Sequence, residues 1–329
     1  MNSDMKTVTG KMMLAGALLL AGVTGIRAAE HPVLQRATVG SIERHYVYSP
    51  QMGDTITVDV WLPEGYVADG PRRYPVIYMH DGQNLFDAST SWNRQSWEMD
   101  SVAGTLSAAG EIEAPVIVGV HSVAATRKGD LMPGKAIGRI DPEEMTSMKN
   151  LLHGNEIRGD RYAAFIVETL KPMVDSVYTV ATDRDNTSVM GSSMGGLMSV
   201  YALCEYPGVF GSAACLSTHW IGSLDGNPAF PVAMRSYLAD KLPADGHHRL
   251  YFDHGTVSLD SLYGVWEERM IELAESRGYR RGETLDTFVA VGAGHEERFW
   301  RDRVERPLRF LLAPRRSSER EYGESSVKP

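Results

Sequence analysis

The stretch Gly191-Ser192-Ser193-Met194-Gly195-Gly196 directly follows the apolar run Ser188-Val189-Met190 and directly precedes a segment of helical character. A serine at the apex of a strand-to-helix turn needs small residues on either side, because so tight a turn leaves no room for bulk. Ser193 would then carry its hydroxyl exposed at the C-terminal edge of a sheet. The helix behind it would aim its positive end at the site, and the Met194 N–H could donate to a developing oxyanion. A Gly-x-Ser-x-Gly pattern alone says little in a chain with 32 glycines. Its place between a strand and a helix is what points to nucleophilic catalysis.

A serine hydroxyl needs a base. His295 sits in Val291-Gly292-Ala293-Gly294-His295-Glu296, just past the last apolar run, where a glycine-rich loop lets an imidazole bend back toward the turn. His247, His248 and His254 read as surface or satisfied core residues. The acid that fixes the His tautomer is expected after the preceding strand, in Asp253-His254-Gly255-Thr256-Val257-Ser258-Leu259-Asp260. Asp260 is the choice and Asp253 the runner-up. Two other readings stay open: Asp260 as the N-cap of a helix starting near Ser261, and a Ser–His dyad with no dedicated acid. A second oxyanion donor is expected from His80-Asp81-Gly82-Gln83-Asn84, with Gly82 permitting a sharp turn and the Gln83 N–H facing the site.

The elements that must position these residues follow from the apolar pattern. Arg44–Tyr48 and Thr55–Leu62 read as a hairpin. Tyr74–His80, Ala114–Val120, Ser188–Met190, Phe210–Leu216, Arg249–Phe252 and Leu285–Val291 are continuous apolar runs, which suit a parallel sheet buried on both faces. Helices are expected over Arg158–Tyr178 with a break near Pro172, over Gly195–Tyr206, over Ser261–Arg277 and over Glu296–Leu312. The alternation is that of an α/β fold with a mainly parallel twisted sheet, an N-terminal hairpin and helices on both faces. Residues 124–155, rich in Gly and Pro, form a long insertion that could cover an active site.

The chain has 329 residues, 43% of them hydrophobic, which is enough for one large domain over residues 29–314. Residues 1–28 read as a signal peptide: Lys6 and Lys11 precede the apolar run Met12–Val23, and small residues follow at Ala28 and Ala29. The apolar run is short for a stable membrane anchor, so a periplasmic or secreted protein is expected. Residues 315–329 are polar and charged, and read as a disordered tail. The net charge of −9, with no basic stripe, argues against nucleic-acid binding. Arg298–Arg309 alternates with acids and reads as a solvated helix face. Cys204 and Cys215 lie in apolar surroundings and read as buried free thiols, with a single bridge as the alternative. There is no His-Glu-x-x-His and no clustered ligand spacing, so neither a metal nor another cofactor is expected.

Taken together, these residues resemble the Putative esterase, or esterase D-like, family of α/β hydrolases. That group includes enterobactin-type esterases, feruloyl and acetyl-xylan esterases, S-formylglutathione hydrolases and mycolyltransferases. The resemblance runs from about Arg44 to Leu312. It rests on His80-Asp81-Gly82-Gln83-Asn84, Tyr162-x-x-Phe165 with Leu170-Lys171-Pro172, Gly191–Leu197, Tyr206-Pro207 with Phe210-Gly211, and Gly294-His295-Glu296 with Trp300. It implies the α/β-hydrolase fold and carboxylic-ester hydrolysis through an acyl-enzyme, with the family nucleophile on Ser193 and its histidine on His295. The family acid usually follows a Gly-Thr step more closely than Asp260 follows Gly255-Thr256. The expected substrate is a small or carbohydrate-linked acyl ester, with Trp92, Trp97 and Trp220 as candidate platforms. A siderophore lactone is the alternative, with Arg127 and Lys128 as candidate cations. An acyltransferase or a peptidase would use the same triad, and a non-catalytic binding protein is the reading from another class.

Overall fold

The apolar runs form the strands of one eight-stranded sheet. In the computed structural model, residues 32–146, 152, 154–244 and 246–313 are described. The expected signal segment and C-terminal tail lie outside these residues, as does part of the insertion over 124–155. Strands β1 (Ser41–Ser49) and β2 (Asp54–Leu62) pair antiparallel as the expected hairpin. The remaining strands are β3 (Val76–His80), β4 (Val116–Val120), β5 (Thr187–Ser192), β6 (Ser212–Leu216), β7 (Arg249–Gly255) and β8 (Leu285–Ala290). The order across the sheet is β1-β2-β4-β3-β5-β6-β7-β8, with β4 through β8 all parallel. Sequential order reverses between β3 and β5. Ligands of open α/β sheets bind in the crevice at the carboxyl ends of such strands.

Both faces of the sheet are covered, as continuous apolar strands require. One core gathers Val58, Tyr78, Val118, Val189 and Phe252 with Phe165, Leu197 and Met270 from helices. The opposite core gathers Trp61, Ile77, Ile117, Met190 and Tyr251 with Trp97, Trp300 and Leu308. Alternate residues of the same strand serve the two cores, in keeping with the two-residue period of a strand.

Helix α1 (Met99–Ala108) follows β3. The short helices α2 (Arg127–Asp130) and α3 (Gly134–Ile137) follow β4, and Leu131, Met132, Ala136 and Ile137 in this part of the 124–155 stretch are buried in the main core. The break expected near Pro172 is a widened π turn over Ile166–Leu170, between α4 (Gly159–Phe165) and α5 (Lys171–Val177). Pro172 has no N–H to give to the carbonyl four residues back, and the wider turn absorbs that loss without ending the helix. Helix α6 (Met194–Glu205) stands behind β5, and α7 (Ala229–Lys241) follows β6.

Helix α8 begins later than the apolar pattern suggests, at Gly264–Ser276, because a 3-10 turn over Ser258–Leu262 intervenes. The expected last helix is two helices, α9 (Glu297–Arg301) and α10 (Glu305–Leu312). The interruption turns Arg303 inward, where it is only 7% exposed and reaches Asp253. The solvated-face reading of Arg298–Arg309 therefore fails at Arg303. Pro307 falls in the first turn of α10, where no N–H is needed. Cys204 and Cys215 are buried and unbridged. Among the described residues, no helix is long and apolar enough to cross a membrane.

Candidate active site

Ser193 occupies the turn between β5 and α6 with φ 57° and ψ −121°, a region that costs a non-glycine residue about 1–3 kcal/mol. Several contacts hold it there. Its N–H donates to the Leu216 carbonyl at 3.0 Å, and its carbonyl accepts from the His219 N–H at 3.1 Å. A Cβ on Gly191 would lie 2.9 Å from the Gly195 backbone, so the two arms of the turn touch. A Cβ on Gly195 would lie 3.2 Å from that of His80 and 3.7 Å from an Asp81 carboxylate oxygen. The turn therefore packs against the loop after β3. The Met194 N–H belongs to the first turn of α6, whose donors have no partner within the helix.

The loop after β3 is built for close approach. A Cβ on Gly82 would lie 2.4 Å from the Gly119 backbone, so glycine is needed there for lack of space. The unusual backbone angle falls one residue earlier than the sequence suggests, on Asp81, at φ 57°. Gln83 lies in the short 3-10 turn Gly82–Asn84, whose own bonds use the Asn84 and Leu85 N–H groups. Its side-chain amide donates to Ser122 Oγ at 3.0 Å and accepts from the Ser122 N–H at 3.0 Å. Ser122 Oγ donates in turn to Asp81 at 2.5 Å. Arg127 binds both Asp81 oxygens at 2.6 Å. Burial works against the Asp81 charge, but Arg127 outweighs it and holds the carboxyl below its usual range.

At the ends of β7 and β8, His295 Nδ1 lies 2.6 Å from Asp260 Oδ1. Asp260 is fully buried, and its other oxygen accepts from Ser217 Oγ at 2.5 Å and from the Gly255 N–H at 2.7 Å. Burial pushes its carboxyl up, yet the bonds from His295, Ser217 and Gly255 outweigh burial and leave it below the usual range. The carboxylate faces these three donors and α8 starts only at Gly264, so it does not cap that helix. Asp253 is occupied differently. It takes Arg303 at 2.8 and 3.1 Å, the Tyr251 hydroxyl at 2.9 Å and the Ser217 N–H at 3.2 Å.

Further residues to which the sequence assigns no role support these groups. Ser217 Oγ accepts from Trp300 Nε1 at 2.9 Å and from Arg303 at 2.8 Å while donating to Asp260, so its hydroxyl direction is fixed. Trp300 meets the His295 ring edge-on, with centroids 5.1 Å apart. The Tyr263 hydroxyl lies 2.8 Å from His219 Nδ1, its ring meets the His295 ring at 5.6 Å, and the His219 N–H donates to the Ser193 carbonyl. Through Tyr263 and His219, the groups on β5 and on β8 belong to one cluster. Ser217 and His219 both follow β6 immediately, and the carboxyl end of a parallel strand was the available signal. Glu297 also escaped notice. It is buried, and it accepts from Asn84 at 3.3 Å, Trp92 Nε1 at 2.8 Å and Asn93 at 2.5 Å. Of the candidate platforms, Trp97 and Trp220 are core residues, whereas Trp92 is 76% exposed.

A serine on a strained turn, helix-end amides next to it and a histidine bound to a buried carboxylate follow strands of a sheet of the α/β-hydrolase type. The chain matches the Putative esterase family over residues 49–311 and belongs to that family. It is similar to an endo-1,4-beta-xylanase/feruloyl esterase of Xylanibacter ruminicola, 24% identical over 83% of this chain and 31% of that protein. It is also similar to the ferri-bacillibactin esterase BesA of Bacillus subtilis, 26% identical over 50% of this chain and 55% of that one. The chain thus spans a third to about half of these relatives' length. Among solved structures, a ferulic acid esterase matches with a TM-score of 0.59 and 16% identity, over 83% of this chain and 98% of that one. The enterobactin esterase FES of Shigella flexneri matches with a TM-score of 0.62 and 16% identity, over 84% and 60%. These structural likenesses bear on the fold.

Proposed function

We propose that this protein is an exported serine esterase that hydrolyses a small or carbohydrate-linked acyl ester through an acyl-enzyme. The observations that carry the reading are the 2.6 Å bond between His295 Nδ1 and the buried Asp260 carboxylate and the φ of 57° at Ser193 on the turn after β5. With Nδ1 fixed as the donor, Nε2 is the free lone pair that can take the Ser193 proton. Ser193 attacks the ester carbonyl, and the Met194 and Gln83 amides receive the oxyanion. His295 returns the proton to the leaving alcohol and then activates water for deacylation.

A feruloyl or sugar-linked substrate draws support from Trp92. Its indole is exposed while its N–H is tied to Glu297, two residues from His295, so a flat face stands at the rim of the site. The lactone alternative relied on Arg127 and Lys128, and Arg127 is already committed to Asp81. The signal-peptide reading of residues 1–28 supports export.

The test treats the wild type and Ser193→Ala with a fluorophosphonate probe and follows turnover of p-nitrophenyl acetate, a feruloyl ester and a catecholate lactone. One adduct per chain and ester turnover, both lost in Ser193→Ala, are expected, with the feruloyl ester preferred over the lactone. Folded wild-type protein that takes no probe and turns over no ester would overturn the mechanism.

A further inference from the structure

We propose that Ser217 is a positioning residue that holds the Arg303 guanidinium off Asp260, so that the carboxylate behind His295 meets a hydroxyl and not a cation. Its bearing on catalysis rests on the serine-esterase reading above. Ser217 directly follows β6, is fully buried and sits at φ 42°, where only glycine is at ease. Its backbone is clamped to β7, with the N–H donating to the Asp253 carbonyl at 2.7 Å. Its side chain stands between two charged groups. Ser217 Oγ lies 2.5 Å from Asp260 Oδ2 and 2.8 Å from Arg303 Nη2, and those two atoms are 4.0 Å apart.

The direction of each bond is forced. Arginine and tryptophan side chains only donate, and an ionised carboxylate only accepts. Arg303 Nη2 and Trp300 Nε1 fill both lone pairs of the hydroxyl, at 2.8 and 2.9 Å, so its single hydrogen goes to Asp260. Of the two hydrogens on Arg303 Nη2, one goes to Ser217 and the other to Asp253 Oδ1 at 2.8 Å. Arg303 Nε reaches Asp253 Oδ2 at 3.1 Å, and Nη1 reaches the Phe299 carbonyl at 3.0 Å. Without the hydroxyl, one hydrogen of Arg303 and one bond to Asp260 Oδ2 are lost in a buried place, which is costly for both groups. The two atoms then face each other about 1 Å beyond hydrogen-bond reach.

Closure would give Asp260 what Asp59 has in Arg44, a guanidinium directly on the carboxylate. A carboxylate so matched attracts an imidazolium less. The other charged groups around the pair are engaged elsewhere. On β7, Asp253 takes Arg303, and His254 lies 2.7 Å from Glu267 of α8. Glu296, before α9, lies 2.9 Å from Arg298. Glu297 of α9 takes the neutral donors of Asn84, Trp92 and Asn93. His219 faces Tyr263, and burial holds it at about 4, so it is neutral at pH 7. The width of the gap between Arg303 and Asp260 therefore sets how much negative charge faces His295.

The test is Ser217→Ala, whose methyl group neither donates nor accepts. His295 is titrated by NMR through its ring signals, assigned by their loss in His295→Gln. The midpoint should fall by about one unit as Arg303 closes on Asp260. The acid limb of kcat/KM against pH for p-nitrophenyl acetate should move down with it, and kcat should fall about tenfold. Ser217→Gly accepts φ 42° without strain and guards against a folding defect in the first variant; its midpoint should move in the same direction. A midpoint that rises would mean that Arg303 stays in place and Ser217 acts only as a donor to Asp260, which overturns the proposal. A midpoint unmoved in both folded variants overturns it too. The titration needs no turnover. A wild type that takes no fluorophosphonate at Ser193 would overturn the esterase reading, while the spacing role is decided by the titration, so the two failures are distinguishable.

Discussion

Two buried aspartates in this molecule each bind a histidine, and only one stands in the candidate site. Asp59 on β2 lies 2.9 Å from His121 Nε2, and Asp260 lies 2.6 Å from His295 Nδ1. Both are fully buried, and both carboxyls sit below the usual range because hydrogen bonds outweigh the cost of burial. The difference is the rest of each shell. Asp59 is clasped by Arg44 at 2.6 Å on both oxygens and takes Gln35 at 2.7 Å, so its charge is already matched by a permanent cation. Asp260 takes neutral donors, and the nearest guanidinium, Arg303, is 4.0 Å away and engaged with Asp253. Its negative charge is left to face His295, where the proposed mechanism would form an imidazolium. A His–Asp contact is therefore a poor marker of catalysis. An uncommitted charge behind the histidine is a better one.

The largest expected effect comes from Asp260, the acid of the proposed triad. Asp260→Asn should lower kcat by about ten-thousandfold, by analogy with loss of the acid in a serine triad, while the far-UV spectrum is retained. A loss of tenfold or less would mean a Ser–His dyad. Next comes Asp59→Asn, which strands Arg44 without its counter-charge. Breaking a buried pair costs about 3–5 kcal/mol, so the urea midpoint should drop sharply. Gln35 also donates to the Gly82 carbonyl at 2.8 Å, so some loss of kcat should accompany it, far smaller than for Asp260→Asn.

The smallest effect sharpens the comparison with histidines that have no carboxylate partner. His80 and His219 face tyrosines at 2.9 and 2.8 Å, and burial holds both at about 4. An unfolded histidine takes its proton near about 6.5, so protons favour the unfolded chain. Stability from these two is full above about pH 6.5 and is lost down to about pH 4, worth about 3 kcal/mol for each. Burial pulls His254 down too, but the bond to Glu267 raises it overall, and it contributes in the opposite sense. The urea midpoint should fall between about pH 7 and about pH 4.5, and His80→Gln should flatten the fall. An unchanged slope in His80→Gln would show that His80 is not the group responsible.

Much of this molecule could be read from its residues, for identifiable reasons. Apolar runs such as Val116–Val120 are long enough to mark strands, and their lack of alternation marks burial on both faces. The glycines around Ser193 announce the turn because no other residue fits there. The misses are of another kind. The 3-10 turn before Gly264 and the break at Arg303 arise from contacts between Asp260, Asp253, Ser217 and Arg303, which sequence spacing does not encode. Tyr263 is invisible for the same reason: a tyrosine at the start of a helix looks like core until its hydroxyl is seen 2.8 Å from His219 Nδ1. The residue types point to Gly82 for the turn, and the turn strain falls on Asp81 instead.

The positive φ of Ser193 has a consequence on the timescale of descent. A glycine at 193 would relieve that angle and make the fold more stable by about 1 kcal/mol. Any lineage released from selection for turnover would therefore gain by losing its nucleophile, and drift would tend to erase the hydroxyl early. On the proposed mechanism, a serine kept at this position against its own backbone is the trace that selection for turnover would leave, in a single torsion angle.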